Sequence, residues 1–328
     1  MNVRIVLVTR DGLPIVQTSL SAVARSASDV PVSILDNGST DGTRDLVRSW
    51  AVEHKADLLL SETNTGFSAA YNTLMRQGSE PYILVLNQDA VLSAGYVDAL
   101  ERVLNDVPLL ASVSGTLLRR DENITNSIDA QGLTIHATGR VVERNRGQQF
   151  KKTTQELQYV FGNPATATMY RRSALQSVAL GTSANEYFDE HFFAYKEDVD
   201  LAYRLALAGW KSAVLTNVVA SHIRSVRGVS DDKEKIGGVH TATAWLARTD
   251  VQQYLSYRNH LYFLIGTALA RREYISWPLV IMYEKIKAFA FLLMRPRQFF
   301  RAWRDAFDSR QYLKDKRKKI RTLKQSTT

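Results

Sequence analysis

The stretch VSILDNGSTDGTRDLVRSW, Val32 to Trp50, decides how the chain is to be read. VSIL is a continuous apolar run, and it predicts a buried strand over 32–35. DNGSTDG supplies the turn. Gly38 allows a tight reversal, and Ser39, Thr40 or Asp41 can cap the next helix. The amphipathic pattern over 42–53 predicts that helix. A capped strand–turn–helix unit accounts for Ser39 to Thr43. It does not account for an acid, Asp36, at the carboxyl end of a buried strand.

The same unit repeats on either side. VRIVLV (3–8), DLLL (57–60) and YILVL (82–86) predict further buried strands, with helices near 14–25, 67–77 and 94–105. Such alternation implies a mostly parallel sheet flanked by helices. Ligands of these sheets sit beyond the carboxyl ends of the strands. Three of those ends are polar: Thr9-Arg10-Asp11, Asp36-Asn37-Gly38 and Asn87-Gln88-Asp89. The segment 111–171 is rich in β-branched residues and turn signals, and predicts added strands and hairpins. A helix is expected from about Lys196, then a strand over 212–219. Segment 226–240, polar and glycine-containing, reads as a mobile loop.

There are no cysteines, which removes disulfides, thiolate metal sites and cysteine nucleophiles. The first residues, MNVRIVLVTRDG, carry Arg4 and Arg10 and no small-residue cleavage site, and read as a strand rather than a signal peptide. The net charge of +9 could suggest nucleic acid. From Arg310 onward, however, eight Lys/Arg face one acid, so seven of the nine charges sit in a tail. A basic tail suits anionic lipid at least as well, and Tyr312 alone gives no stacking platform. Nucleic acid is therefore not expected as a partner.

Each remaining polar cluster has a plain reading and a chemical one. Asp36 can accept a hydrogen bond from a pyrimidine ring N–H. Asn64 and Gly66, between a strand and a helix, stand in the run NTGFSAAYN, whose small residues let a phosphate, or simply another backbone, approach the helix start. Asp89 is a hard oxygen ligand for Mg²⁺ or Mn²⁺, or a turn residue. Asn87 beside it can bind ribose or a cation. Glu197 and Asp198 open the helix of KEDVDLAYRLALAGW, where the helix dipole favours acids, yet one of two adjacent carboxylates can act as a base. Asp200 and Arg204 stand four apart and read as a structural pair. His222 is a metal ligand or a structural histidine, and Arg224 can hold a phosphate.

The C-terminal part, 241–328, changes character. Apolar helical stretches there have a longest charge-free run of twelve residues, Asn259 to Ala270. A spanning helix needs about 20. Trp277, Phe299, Phe300 and Trp303 among Arg295, Arg297, Arg301 and Arg304 suit a helix lying in a lipid interface. They equally suit packing against the body of the protein or a dimer partner.

In this order, DNGSTDGT, NTGFSAAYN, LNQDA, EDVDLAYRLALAGW and SHIRS resemble glycosyltransferase family 2, inverting sugar transferases of the GT-A fold. The likeness spans Val3 to about Gly228. It implies a catalytic region over 1–240, with a nucleotide-binding half (1–110) and an acceptor half (111–240). It implies that Thr9, Arg10, Asp36, Asn37, Asn64, Gly66, Asn72, Asn87 and Arg224 serve the nucleotide sugar. Asp89 and His222 would hold a divalent cation, Asp198 would be the base, and Glu197 its acceptor-side neighbour. Asn87 departs from the family's usual Asp, and the LN-x-D form looks most like rhamnosyltransferases. That implies dTDP-rhamnose as donor and a lipid-linked saccharide as acceptor. It also implies a cytoplasmic enzyme peripheral on the inner face of the membrane. Another nucleotide sugar, or a relative that binds without turnover, stays open, as does a homodimer.

Overall fold

The computed structural model describes residues 2–120, 126–154, 156–181, 185–223, 249–271 and 273–323. Four strands come from the first ninety residues: β1 (Val3–Thr9), β2 (Val32–Asn37), β3 (Asp57–Ser61) and β4 (Tyr82–Asn87). Helices α1 (Leu13–Ser26), α2 (Thr43–His54) and α3 (Phe67–Met75) connect them. All four strands are parallel, in the order β3-β2-β1-β4. Each runs one or two residues past its predicted apolar run. Thr9, Asp36 and Asn87 are thus last rungs of the sheet rather than loop residues.

Strand alternation sorts the core. Ile5, Leu7, Leu84 and Leu86 point to one face, where α1, α2 and α4 (Tyr96–Asp106) cover them. Val6, Ile83 and Val85 point to the other, beneath α3, α5 (Arg172–Ser177) and α6 (Glu197–Leu207). Each such fully buried aliphatic side chain contributes about 1.5–3 kcal/mol.

Beyond β4 the sheet is mixed. The added strands are β5 (Ala90–Leu92), β6 (Leu110–Arg119), β7 (Ile128–Ala130), β10 (Leu157–Val160), β11 (Ala167–Arg171) and β12 (Lys211–His222); β8 (Leu133–Ile135) and β9 (Val141–Glu143) form a separate hairpin. The full order is β10-β12-β6-β11-β4-β1-β2-β3, with β11 antiparallel to both neighbours. The register of β12 on β6 slips between Leu215 and Val219. Past the slip, β12 also pairs with β5, setting His222 opposite Ala90.

The C-terminal helices are α7 (Asp250–Tyr262), continued by a π-helical turn (Phe263–Ala268), α8 (Trp277–Met294), α9 (Pro296–Asp308) and α10 (Arg310–Arg321). A reciprocal Thr249–Gln252 capping box starts α7. These helices share one apolar core with α6. Val199, Tyr203 and Leu207 pack with Tyr254, Phe263, Ala302, Leu313 and Ile320.

The basic tail therefore differs from its expected form. Most of it is α10, whose Leu313, Lys316 and Ile320 are buried on one stripe. Counting charge does not reveal which lysine a helix turns inward. Among the described residues no helix is long and apolar enough to cross a membrane. The loop expected over 226–240 lies outside the described residues.

Candidate active site

The ends of β1 and β2 are locked together. Thr9 is paired in register with Asp36, and its hydroxyl donates to Asp36 Oδ2 at 3.4 Å. Asp36 is fully buried, and Arg44 from α2 offsets its charge, donating from Nε to Oδ1 at 3.0 Å. The Ser39 backbone N–H donates to the same oxygen at 3.2 Å. Arg10 and Gln88 clasp β1 to β4. The Arg10 N–H donates to Gln88 Oε1 at 2.7 Å, and Gln88 Nε2 returns a bond to the Arg10 carbonyl at 3.0 Å. The Arg10 side chain remains half exposed at the rim.

Asn37, Asn64, Gly66 and Asn72 hold the scaffold more directly than they face a ligand. Asn37 Nδ2 donates to Asn64 Oδ1 and to the Gly66 carbonyl, while its Oδ1 accepts from the Thr65 N–H and hydroxyl. Its side-chain hydrogen-bonding capacity goes into the 64–66 loop. Asn72 is buried and bolts α3 to 187–190, donating to the Phe188 carbonyl and Glu190 and accepting from the Tyr187 and Phe188 N–H groups. Of the two readings of the α3 start, a phosphate or another backbone, the structure has another backbone there. The Phe67 and Ser68 N–H groups donate to the Phe193 carbonyl, at 2.6 and 3.3 Å. At Gly66, with φ +87°, a Cβ would lie 2.5 Å from the Phe193 ring. That glycine is needed for close approach of protein to protein.

Asp89 and His222 lie together, as their strands dictate. The Ile223 N–H donates to the Asp89 carbonyl at 2.7 Å, and His222 Nε2 stands 3.4 Å from Asp89 Oδ1. His222 Nδ1 is 2.7 Å from Oδ2 of Asp129, a buried carboxylate on β7. Burial works to lower the His222 pKa, but hydrogen bonds and charge from Asp129 and Asp89 outweigh it and raise it to about 9. One oxygen and one nitrogen, held face to face with an outer carboxylate behind the imidazole, fit a divalent cation. A cation would compete there with the imidazolium proton. Asn87 is beside them, its Oδ1 accepting from the buried Tyr71 hydroxyl at 3.1 Å. A second cluster, Glu186, Asp189 and His191, suits a metal less well, because Lys316 Nζ already occupies Asp189 Oδ2 at 2.5 Å.

Glu197 and Asp198 start α6 after an unusual approach. Phe193, Tyr195 and Lys196 all have positive φ, a backbone state that costs non-glycine residues energy. The buried Asn259 of α7 holds the segment in place, donating to the carbonyls of Phe192, Ala194 and Tyr195 at 2.7–2.8 Å. Arg258 adds bonds to the carbonyls of His191 and Phe192.

The two acids open into a cleft of about 720 Å³ between the β8–β9 hairpin and the helices α7 and α8. Asp198 is half-buried and accepts from the Val199 N–H at 2.7 Å. Burial raises its pKa. Glu197 is buried, and its Oε2 has no hydrogen-bond partner among the described residues. Burial first, then the Asp198 charge, raise Glu197 to about 8. A carboxyl held up in the folded state binds a proton that the unfolded chain releases near pH 4.5, so stability falls as pH climbs from there to about 8. Glu197→Gln is expected to flatten that fall. Above pH 8 its melting temperature should exceed wild type by roughly 2–4 °C, read by scanning calorimetry.

The model of the family described as glycosyl transferase family 2 matches residues 5–179. The chain belongs to that family. It is 28% identical over 243 residues to an N-acetylglucosaminyl-diphospho-decaprenol L-rhamnosyltransferase of Mycobacterium tuberculosis, covering 66% of this chain and 75% of the relative. It is 25% identical over 197 residues to a poly-beta-1,6-N-acetyl-D-glucosamine synthase of Staphylococcus epidermidis, of which it spans 42%. Two solved structures show the shared fold. One is GalNAc-T7 with UDP, GalNAc and Mn²⁺, with a TM-score of 0.55 and 11% identity over 90% of this chain and 57% of that one. The other is the mannosyltransferase PcManGT of Pyrobaculum calidifontis with GDP-Man and Mn²⁺, at 0.51 and 16% over 97% and 85%.

The protein is thus a glycosyltransferase with the GT-A fold. In this family 2 transferase, four residues beyond the sequence reading support the site: Arg44, Gln88, Asp129 and Asn259. Arg44 and Gln88 were within reach of that reading, because both lie inside the strand-end motifs or one turn beyond. Asp129 is 93 residues from His222 and Asn259 is 64 from Tyr195, so only the fold pairs them. Arg224 lies outside the described residues.

Proposed function

We propose that this glycosyltransferase moves L-rhamnose from dTDP-rhamnose to a hydroxyl of a lipid-linked saccharide, inverting the anomeric centre. The observation that carries the reading is the pair of carboxylates, Glu197 and Asp198, in the wall of one cleft, in a chain whose main sheet also carries Asp36 and brings Asp89 and His222 together. The relative named for L-rhamnose transfer to a diphospho-decaprenol supports the donor and the lipid.

Thr9 and Asp36 bind the base, with Arg10 at the rim. Asn87, steadied by Tyr71, faces the sugar side. Asp89 and His222 hold Mg²⁺ or Mn²⁺, which when bound offsets charge on the diphosphate. Asp198 takes the proton of the acceptor hydroxyl as that oxygen attacks the anomeric carbon. The bond from that carbon to the diphosphate oxygen breaks, and the nucleoside diphosphate leaves with the electron pair. Glu197, neutral near pH 7, stays beside the acceptor without competing for that proton. Asn37, Asn64, Gly66 and Asn72 act indirectly, by fixing the loops around the nucleotide.

The enzyme sits on the inner face of the membrane. Phe300, Trp303 and Phe307 form an exposed stripe on α9 among the exposed Arg297, Arg301 and Arg304, which suits an anionic interface.

A donor screen that reads release of nucleoside diphosphate, with an N-acetylglucosaminyl diphospholipid as acceptor, tests the reading. Release from dTDP-rhamnose alone among the donors is the expected result; release from UDP- or GDP-sugars only would overturn the donor. Asp89→Ala is expected to remove the Mn²⁺ dependence of nucleotide binding. Asp129→Asn should weaken it about 10–100-fold by freeing the imidazole to turn. Titration calorimetry with and without Mn²⁺ measures both.

A further inference from the structure

The cleft that holds Glu197 and Asp198 continues past them to α8. There its wall is one helical stripe that includes Tyr283, Ile286, Lys287 and Met294. Arg140, Arg146 and Lys196 also line it, so four cations face a single cleft. Arg146 is paired with Glu143 at 3.7 Å. Lys287 lies 3.8 Å from Glu284, but that carboxylate has a shorter partner, His260 Nε2 at 2.7 Å. Lys287 Nζ otherwise rests over the rings of Tyr257 and Tyr283, at 5.6 and 5.9 Å. Burial, with the charges of Lys196 and Arg140, outweighs Glu284 and brings Lys287 down to about 7. Basic side chains are therefore gathered at this end of the cleft, with Glu143 and Glu284 the acids beside them.

The outer edge of this wall is apolar. Ile286 and Met294 line the cleft and are also exposed, and Met282, Phe289 and Leu293 extend the exposed face along α8. Carboxylates, basic side chains and an open apolar stripe thus border one cleft. A saccharide joined through phosphate to a lipid carries a group for each: hydroxyl, anion, hydrocarbon.

We propose that this end of the cleft binds the diphosphate that links the acceptor saccharide to a prenyl chain, with Lys287 and Arg140 on the phosphates and the chain along Ile286, Phe289 and Leu293. The site rests on the lipid-linked acceptor reading and adds its residues. It is separate from the donor diphosphate, which belongs at Asp89 and His222. The tyrosine rings keep the lysine partly dry, which strengthens its pairing with an anion. The exposed stripe gives a reason for apolar side chains to face outward beside a charged cleft.

Geranyl diphosphate is a suitable probe, titrated calorimetrically into the full chain with dTDP and Mn²⁺ saturating the donor side. Wild type is expected to bind it. Lys287→Gln and Arg140→Gln should each weaken binding roughly tenfold, the effect of losing one charge-assisted bond. Lys287→Arg should retain it, and the melting temperatures of the variants report that they fold. Geraniol and inorganic diphosphate should each bind at least about tenfold more weakly than the joined molecule. Unchanged affinity in both Gln variants would overturn the site, as would inorganic diphosphate binding as tightly as geranyl diphosphate. The donor screen fails separately: Lys287-dependent binding of geranyl diphosphate without transfer to any diphospholipid saccharide supports the anion site and removes the acceptor reading.

Discussion

Asp198→Asn is expected to reduce sugar transfer by about 100- to 10,000-fold, the usual worth of a positioned general base. The substitution is nearly isosteric and keeps an oxygen for the Val199 N–H, so α6 should start as before. Calorimetry should find nucleotide affinity unchanged, because Asp198 lies in the proposed acceptor cleft, apart from the ends of β1, β2 and β4 proposed to bind the nucleotide. The informative contrast is Glu197→Gln. With its pKa near 8, Glu197 is mostly protonated at pH 7, and glutamine imitates that state. Its loss of turnover should therefore be far smaller than that of Asp198→Asn. Wild-type turnover in Asp198→Asn, or an equal collapse in Glu197→Gln with Asp198→Asn intact, would reverse the two roles.

The strand–helix framework of the first ninety residues was legible because its signals are local. Apolar runs of four to six residues, each ended by a polar residue and a capped turn, yield β1 to β4 with boundary errors of one or two residues. Parallel pairing then follows from the intervening helices. The proposed catalytic pair stands out in the sequence as a position in an ordered set of motifs, whereas its surroundings do not. Nothing in KEDVD says that Glu197 is buried, its Oε2 without a hydrogen-bond partner among the described residues, while Asp198 beside it is only half-buried. Asn37 and Asn72 were expected to serve the nucleotide sugar, but an amide has two donors and an acceptor, and here the neighbouring loops take them up. The antiparallel β11, the Asp129 bond to His222 and the grip of Asn259 on the 192–195 carbonyls depend on contacts between residues far apart in the chain. Local pattern does not encode such contacts.

The largest stability effect is expected at Lys316, in the tail that charge counting placed at the surface. Lys316 Nζ is buried between Asp189 Oδ2 at 2.5 Å and Asp200 Oδ1 at 2.6 Å. Asp200 also binds Arg204 at 2.8 Å and accepts from the Thr267 hydroxyl. Asp200 is thus more than the partner of Arg204. Two acids and two bases, all essentially inaccessible, make a neutral quartet joining α10 to the helix that carries Glu197 and Asp198. Lys316→Met removes one cation and leaves a buried carboxylate uncompensated, at a cost of about 3–5 kcal/mol. That is a large share of the roughly 5–15 kcal/mol of a whole domain. Asp189→Asn combined with Lys316→Met restores neutrality, and the double variant should recover much of the loss, as a double-mutant cycle would measure. The pH dependence has a definite sign. Burial pushes Asp189 up, but the Lys316 charge and hydrogen bonds hold it well below the ordinary carboxylate range. A depressed carboxyl contributes stability above its unfolded pKa and loses it as pH falls through the folded value. Wild type should therefore keep this contribution from neutral pH down to about pH 4 and lose it only in stronger acid. Lys316→Met should lack it throughout, with a lowered urea midpoint at pH 7 and slower transfer, because α6 loses the anchor behind its catalytic end. An unchanged midpoint in that variant would show that the quartet does not hold α10 in place.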